Sequence, residues 1–221
     1  MNSSKQLLIA SALTLSFGAQ AVDLPLAVGN SYEITITNLT KAQSFTPILV
    51  ASHRNNVRLF NVGQPASDAL AEMAEGGATA PLEDYLLQMS DRVGDVSTSP
   101  GLLGPGESAT VPFERSFQYP RLSIAAMLIP TNDTFFAISG VKIPNHHGVF
   151  EAHAYDAGSE LNDELCASIP GPVCGGEGGS VEDGEGFVHI ANGISGEGDL
   201  AASTYDWRGP VARVRIKRVY Q

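Results

Sequence analysis

Apolar and polar residues alternate along many short stretches of this chain, with Gly- and Pro-rich turns between them. Tyr32 to Thr37 reads Tyr-Glu-Ile-Thr-Ile-Thr, a strand with one buried face. Pro47 to Ala51 reads as a second strand, opened by a proline at its first position. Ser108 to Phe113, Arg121 to Ile129 and Phe135 to Ile143 read as further strands, the last split near Gly140. From Val149 to Tyr155, Phe150, Ala152 and Ala154 share one face; Glu151, His153 and Tyr155 share the other. Phe187 to Ala191 resumes a strand. The C-terminal run from Val211 to Tyr220 alternates strictly, with Ala212, Val214 and Ile216 inward and Arg213, Arg215 and Lys217 outward.

Helical signals are confined to one region. Ser67 is an N-cap for a short helix that ends at Gly76-Gly77. Pro81 to Met89 reads as a second short helix. Many short strands at regular spacing predict an all-β, antiparallel β-sandwich with one or two short helices in a loop insertion. Residues 157–186 read as loop, with an acidic Gly-rich stretch from Gly175 to Gly186. There is no internal repeat and no interdomain linker.

The N-terminus changes where this fold is expected to work. Lys5, an apolar stretch from Leu7 to Phe17 and the Ala19-Gln-Ala21 site read as an export signal, residues 1–21, cleaved after Ala21. A buried N-terminal helix is the alternative. The stretch is shorter than the roughly 20 apolar residues that span a bilayer, and no later segment is a candidate membrane span. Residues 22–221 are then a single domain, expected in the periplasm or secreted.

The net charge of −11, or −12 without Lys5, argues against nucleic acid or an anionic membrane surface as partner. It suits solubility and cation binding. In an exported chain, Cys166 and Cys174 read as a disulfide; a redox or metal-binding thiol pair is the rival, without a C-x-x-C spacing to support it.

Two segments carry the candidate chemistry. Pro130-Thr-Asn-Asp133 and Tyr155-Asp156-Ala-Gly-Ser-Glu160 each place carboxylates in a turn beside an apolar run. Such acids can serve only to hydrogen-bond turn backbone. Converging from two loops, they would repel one another unless a cation lay between them, and hard oxygen ligands on loops suit Ca²⁺.

Other constellations are weaker. The run from Asp156 to Glu164 is not an EF-hand, because Gly158 occupies the third position and Ala167 the twelfth. His146, His147 and His153 lack zinc-site spacing, and an adjacent pair in a strand would point to opposite faces. Ser195 is not in a G-x-S-x-G elbow. The Arg213, Arg215 and Lys217 stripe reads as the solvated face of a last strand. Glu177, Glu182, Asp183 and Glu185 read as a solvated loop or, alternatively, a weak second cation site.

The order of these features resembles the spondin N-terminal domain family, F-spondin-like, in its bacterial exported form. The resemblance rests on the helix segment Ala69-Leu-Ala-Glu72-x-Ala-Glu-Gly76, then Met127-Leu-Ile-Pro-Thr-Asn-Asp133, then Tyr155-Asp156-Ala-Gly158-x-Glu160 and a closing strand from Pro210, over roughly residues 30–218. It implies a sandwich similar to C2 domains, with Ca²⁺ held in loops at one end by Asp133, Asp156 and Glu160. Glu160 stands where the family pattern has Asp, and Thr134 where the animal domains have Trp. The expected role is a non-enzymatic binding or adhesion module for an extracellular or surface protein or glycan. A secreted or periplasmic metal-dependent hydrolase using the carboxylate cluster is the alternative.

Overall fold

The computed structural model describes residues 30–179 and 184–220; the signal reading on residues 1–21 and the acids Glu182 and Asp183 lie outside them. Among the described residues, ten strands form one antiparallel sheet. In chain order they are β1 (Asn30–Asn38), β2 (Ser44–Phe45), β3 (Leu49–His53), β4 (Val93–Thr98), β5 (Ser108–Arg115), β6 (Arg121–Ile129), β7 (Thr134–Lys142), β8 (His147–Asp156), β9 (His189–Ile190) and β10 (Ala212–Arg218). The spatial order is β4-β3-β6-β7-β8-β10-β1-β5, with β2 on β6 and β9 on β8. The edge strands β4 and β5 approach each other, so the sheet nearly closes on itself as a barrel-like sandwich.

Why the sheet curls can be read from which faces are apolar. The inner face gathers Ile34, Ile36, Phe45, Ile124, Leu128, Phe136, Val214 and Ile216 into one buried cluster. Burying these side chains, at about 1.5–3 kcal/mol each, is the main force closing the sheet. On the outer face, β6 and β7 are covered by α1 (Asp68–Gly76) and α2 (Thr79–Leu87). Leu70, Met73, Leu82 and Leu86 pack there on Ala125, Phe135 and Ala137. Covered on both faces, β6 reads as an almost continuous apolar run, whereas β10, wet on one face, alternates.

The helix punctuation works as expected for α1. Ser67 Oγ accepts from the Leu70 N–H, and Gly77 ends the helix at φ 72. Helix α2 starts at Thr79, two residues before Pro81, so the proline sits in the first turn where its missing N–H has no intrahelical acceptor. A one-turn helix α3 (Ala202–Tyr205) was not anticipated, nor was β4. Gly94 in β4 lies under the Tyr119 ring, where a Cβ would come within 2.4 Å of that ring. Cys166 and Cys174 are disulfide-bonded, with Cα atoms 4.7 Å apart, and pack with Ile169, Ile194 and Leu200 in a small third cluster. Among the described residues, no helix is long and apolar enough to cross a membrane.

Candidate functional site: buried carboxylates at the end of β7 and β8

The Pro130–Asp133 turn joins β6 to β7 and delivers Asp133 to the sheet's end. Thr134 pairs with Asp156 across β7 and β8, and the Ala157 N–H donates to the Asp133 carbonyl at 3.2 Å. Pairing therefore sets Asp133 beside Asp156. Both are buried, as is Glu160.

Each carboxylate is held by local donors. Asp133 Oδ2 accepts from the N–H of Ser159 at 2.8 Å, the N–H of Glu160 at 3.1 Å and Ser159 Oγ at 3.2 Å. Asp133 Oδ1 is buried and has no hydrogen-bond partner among the described residues. Asp156 Oδ1 accepts from the Gly158 N–H at 2.8 Å, and its Oδ2 accepts from Asn162 Nδ2 at 2.8 Å. Asn132 ties the turn to the following loop, donating to Asp163 Oδ1 and accepting from the Glu164 N–H. Glu160 reaches Asp133 through its backbone. Its Oε1 lies 4.0 Å from where a Cβ on Gly179 would be, and Glu75 Oε2 lies 3.5 Å from the same point.

Burial sets the electrostatics. It raises the Asp133 pKa to about 6, with repulsion from Asp156 adding to the rise and the Glu160 and Ser159 donors opposing it. Burial also raises the Asp156 pKa, against the Gly158 N–H and the nearby His189. Two acids this close and this dry favour a cation or a shared proton.

Residues that the sequence reading left out complete the surroundings. Strand β9 pairs His189 with Asp156 and Ile190 with Tyr155. That brings His189 Nε2 to 3.3 Å from Asp156 Oδ1 and 3.5 Å from Glu185 Oε2. The approach depends on two glycines. Gly158 has φ +65, and a Cβ there would lie 2.3 Å from the Phe187 carbonyl oxygen. A Cβ on Gly184 would lie 2.5 Å from the Glu160 carbonyl oxygen. Neither position has space for a side chain. Among the described residues, Asp156, Glu185 and His189 form a group whose ligand atoms all lie within 4.8 Å of one another; Asp133 and Glu160 are not part of that group. Glu185 reads from the sequence as solvated loop or, alternatively, as part of a weak second cation site with Glu177, Glu182 and Asp183, and His189 as a strand residue. Only the long-range register of β9 on β8 brings them to the acids, and no local pattern carries that information. A cleft of about 380 Å³ beside the site is lined by Pro65, Asp68, Ala157, Gly158, Ser159 and Gly184, among others.

The other histidines separate as follows. His146 precedes β8, so it and His147 both face one cleft with Val149, Arg215, Lys217, Arg218 and Tyr220, contrary to the expectation of opposite faces. His153 is exposed on β8. His53 is buried and neutral in character: its Nδ1 donates to the Arg54 carbonyl, its Nε2 meets Ser123 Oγ at 2.8 Å, and burial lowers its pKa. A separate cleft of about 550 Å³ is lined by Asp95, Glu114 and Tyr119, among others. Burial and the charge of Glu114 both raise the Asp95 pKa, against local hydrogen bonds. That cleft shares no residue with the carboxylate cluster.

Comparison with known proteins agrees with this architecture. No curated protein matches the chain. The family model described as Spondin_N matches residues 36–161, more than half of the chain and the part that contains Asp133, Asp156 and Glu160. With that match over more than half of its length, the chain belongs to the spondin N-terminal domain family.

Proposed function

We propose that the protein is an exported, non-enzymatic binding module, and that Asp133, Asp156 and Glu160 hold a structural Ca²⁺ at its loop end. The observation that carries this reading is the buried Asp133 Oδ1, which lacks a hydrogen-bond partner among the described residues and stands beside a second buried carboxylate. An orphaned buried oxygen costs about 1–3 kcal/mol, and a hard cation removes that cost. All three side chains offer oxygen, the donor type Ca²⁺ takes. Bound there, Ca²⁺ would fix the turns at residues 130–133 and 156–160 relative to each other. The module's partner would then be a surface protein or glycan that recognises these loops. Membership of the spondin family and the Cys166–Cys174 disulfide support an oxidising, extracytoplasmic setting.

The test is calorimetric titration of Ca²⁺ into the chelator-treated protein at neutral pH. Wild type should bind one equivalent, and Asp133→Asn should bind at least about tenfold more weakly, since it loses a charged ligand. Equal binding by the two proteins would sink the site. Capture from surface fractions with and without Ca²⁺ would then ask whether the partner depends on the ion.

A further inference from the structure

We propose that Asp156, Glu185 and His189 form a binding site for a divalent transition-metal ion of the zinc class. The site is distinct in donor type from the oxygen-only Ca²⁺ site. It goes beyond the Ca²⁺ reading and shares only Asp156 with it.

The imidazole is arranged as a metal ligand. His189 Nδ1 lies 3.0 Å from the Ile190 carbonyl oxygen. A carbonyl only accepts, so Nδ1 carries a proton, and in the neutral ring Nε2 is then the lone-pair nitrogen that can coordinate. A second hydrogen bond of this kind, from the far ring nitrogen to a backbone carbonyl, is how metal-binding histidines are usually oriented. Nε2 is itself buried and makes no hydrogen bond of good geometry.

The distances also suit an ion. Nε2 stands 3.3 Å from Asp156 Oδ1 and 3.5 Å from Glu185 Oε2. Charge-assisted N–H···O bonds are shorter, at about 2.7–2.9 Å. Ligands on a tetrahedral ion with bonds of about 2.0–2.1 Å are roughly 3.3–3.4 Å apart. The two separations therefore match edges of such a tetrahedron better than they match hydrogen bonds. All three ligand atoms lie within 4.8 Å of one another, and Glu185, on the exposed side, has room to rotate and close the third edge.

The shell around these groups is ordered. Asn162 Nδ2 donates to Asp156 Oδ2 at 2.8 Å and approaches Glu185 Oε1 at 3.5 Å, steadying both carboxylates. The Phe187 ring lies 5.6 Å from the imidazole and covers one side of it. Side-chain exposure rises from 4% at Asp156 through 19% at His189 to 40% at Glu185. An ion would thus enter past Glu185, and water would take the fourth position. One imidazole with two carboxylates suits zinc, and nitrogen disfavours Ca²⁺. Asp156 lies inside the family-matched residues 36–161 and Glu185 and His189 beyond them, so the site joins the matched part of the domain to the segment that follows it.

The experiment is a Co²⁺ titration of the full, tag-free protein followed by visible absorption, with Zn²⁺ added as competitor. Tetrahedral Co²⁺ absorbs far more strongly than octahedral Co²⁺, so the spectrum reports geometry. Wild type should bind one equivalent with a tetrahedral spectrum that Zn²⁺ abolishes. His189→Ala should weaken binding at least about 100-fold and Glu185→Gln about 10- to 100-fold, while His153→Ala, at an exposed histidine of β8 outside the site, should leave it within about threefold. Circular dichroism melts check that each variant is folded, and His189→Gln replaces His189→Ala if that variant is not. Absent binding, an octahedral spectrum, unchanged binding in both His189 variants, or loss of binding in His153→Ala would each overturn the proposal. The Ca²⁺ reading fails separately: Ca²⁺ titration of His189→Ala tests it without the imidazole.

Discussion

At its C-terminal end β8 places Asp156 among buried acids; at its N-terminal end, about 30 Å away at roughly 3.3 Å per residue, His147 faces a cleft of about 380 Å³ lined by basic and aromatic side chains. The acidic end is backed by core. Phe135 follows the Asp133 turn, and its ring packs near Phe60 and Tyr155 at centroid distances of 5.1 and 5.9 Å. Its side chains are held by backbone donors and lie out of water. At the basic end, Val149 and Tyr220 are 55% and 67% exposed. Arg215 and Lys217 have no ion-pair partner among the described residues. His146 Nδ1 meets Tyr220 Oη at 2.6 Å in open solvent. Charge is present at both ends, but only burial makes it expensive, and expensive charge is what a specific ion can relieve. The basic end has charge without that penalty.

Removing the support should separate the ends most. Phe135→Ala should cost about 3–5 kcal/mol, the range for a buried aromatic, and should weaken divalent-ion binding as the Asp133 turn loosens. Chemical denaturation measures the first effect and titration the second. Tyr220→Ala, at the other end, should leave stability within about 0.5 kcal/mol. Equal costs would show that the two ends are built alike.

A change of pH should act on the acidic end through Asp133, at an intermediate size. Asp133 titrates near 6 in the folded chain against 3.8 for an ordinary aspartate. Between those values the folded state holds a proton that the unfolded chain has released, so metal-free stability falls as pH rises through the window. The Asp156 and His189 pKa values are raised too, and act in the same direction. His53, with its lowered pKa, opposes them by losing stability as pH falls through 6.5. In chelator, wild type should lose on the order of 2 kcal/mol, relative to Asp133→Asn, between about pH 4.5 and pH 7.5. Urea midpoints at both pH values check this; parallel curves for the two proteins would rule out a perturbed Asp133.

A smaller effect should come from Ca²⁺. Extracellular Ca²⁺ modules bind at roughly 10⁻⁴–10⁻³ M, so about 1 mM Ca²⁺ should add roughly 0.4–1.4 kcal/mol to wild type. Asp156→Asn should lose most of that shift, and its chelated form should be at least as stable as chelated wild type, because one repelling buried charge is gone. Thermal melts with chelator and with Ca²⁺ decide it. An undiminished shift in Asp156→Asn would place the ion elsewhere.

The least effect is expected at the basic end. Arg215→Ala combined with Lys217→Ala should change stability by no more than about 0.5 kcal/mol, with or without divalent ions. A larger change would mean that the exposed cations are held by contacts after all, and the contrast between the two ends would fail.

The sequence revealed most where structure follows local period. Val211 to Arg218 alternates because β10 has one wet face, and its inward residues are the ones buried. The Ser67 cap and the Gly77 stop mark α1 because helix ends need those groups locally. Asp133 and Asp156 were legible as a pair because each stands in a turn beside an apolar run and the family resemblance sets the two turns together. His189 was not, because its role comes from pairing with a strand more than thirty residues earlier in the chain. Strand β4 escaped for a similar reason: Val93-Gly-Asp-Val-Ser-Thr has little apolar signal, and Gly94 is there because Tyr119 crosses it.

The place of β10 in the sheet governs the timing of folding. This last strand lies between β8 and β1, not at an edge. Until Arg218 has been synthesised, β1 and β5 are hydrogen-bonded to no strand of the rest of the sheet and meet it only where β5 approaches β4, and β8 exposes an unpaired edge. At about 5–20 residues per second, that wait lasts roughly ten seconds to most of a minute. A nascent or truncated chain ending before Val211 should therefore stay open, sensitive to proteases and prone to edge-to-edge aggregation. A domain that closes only when β10 arrives is also one that withholding a single short segment can keep open.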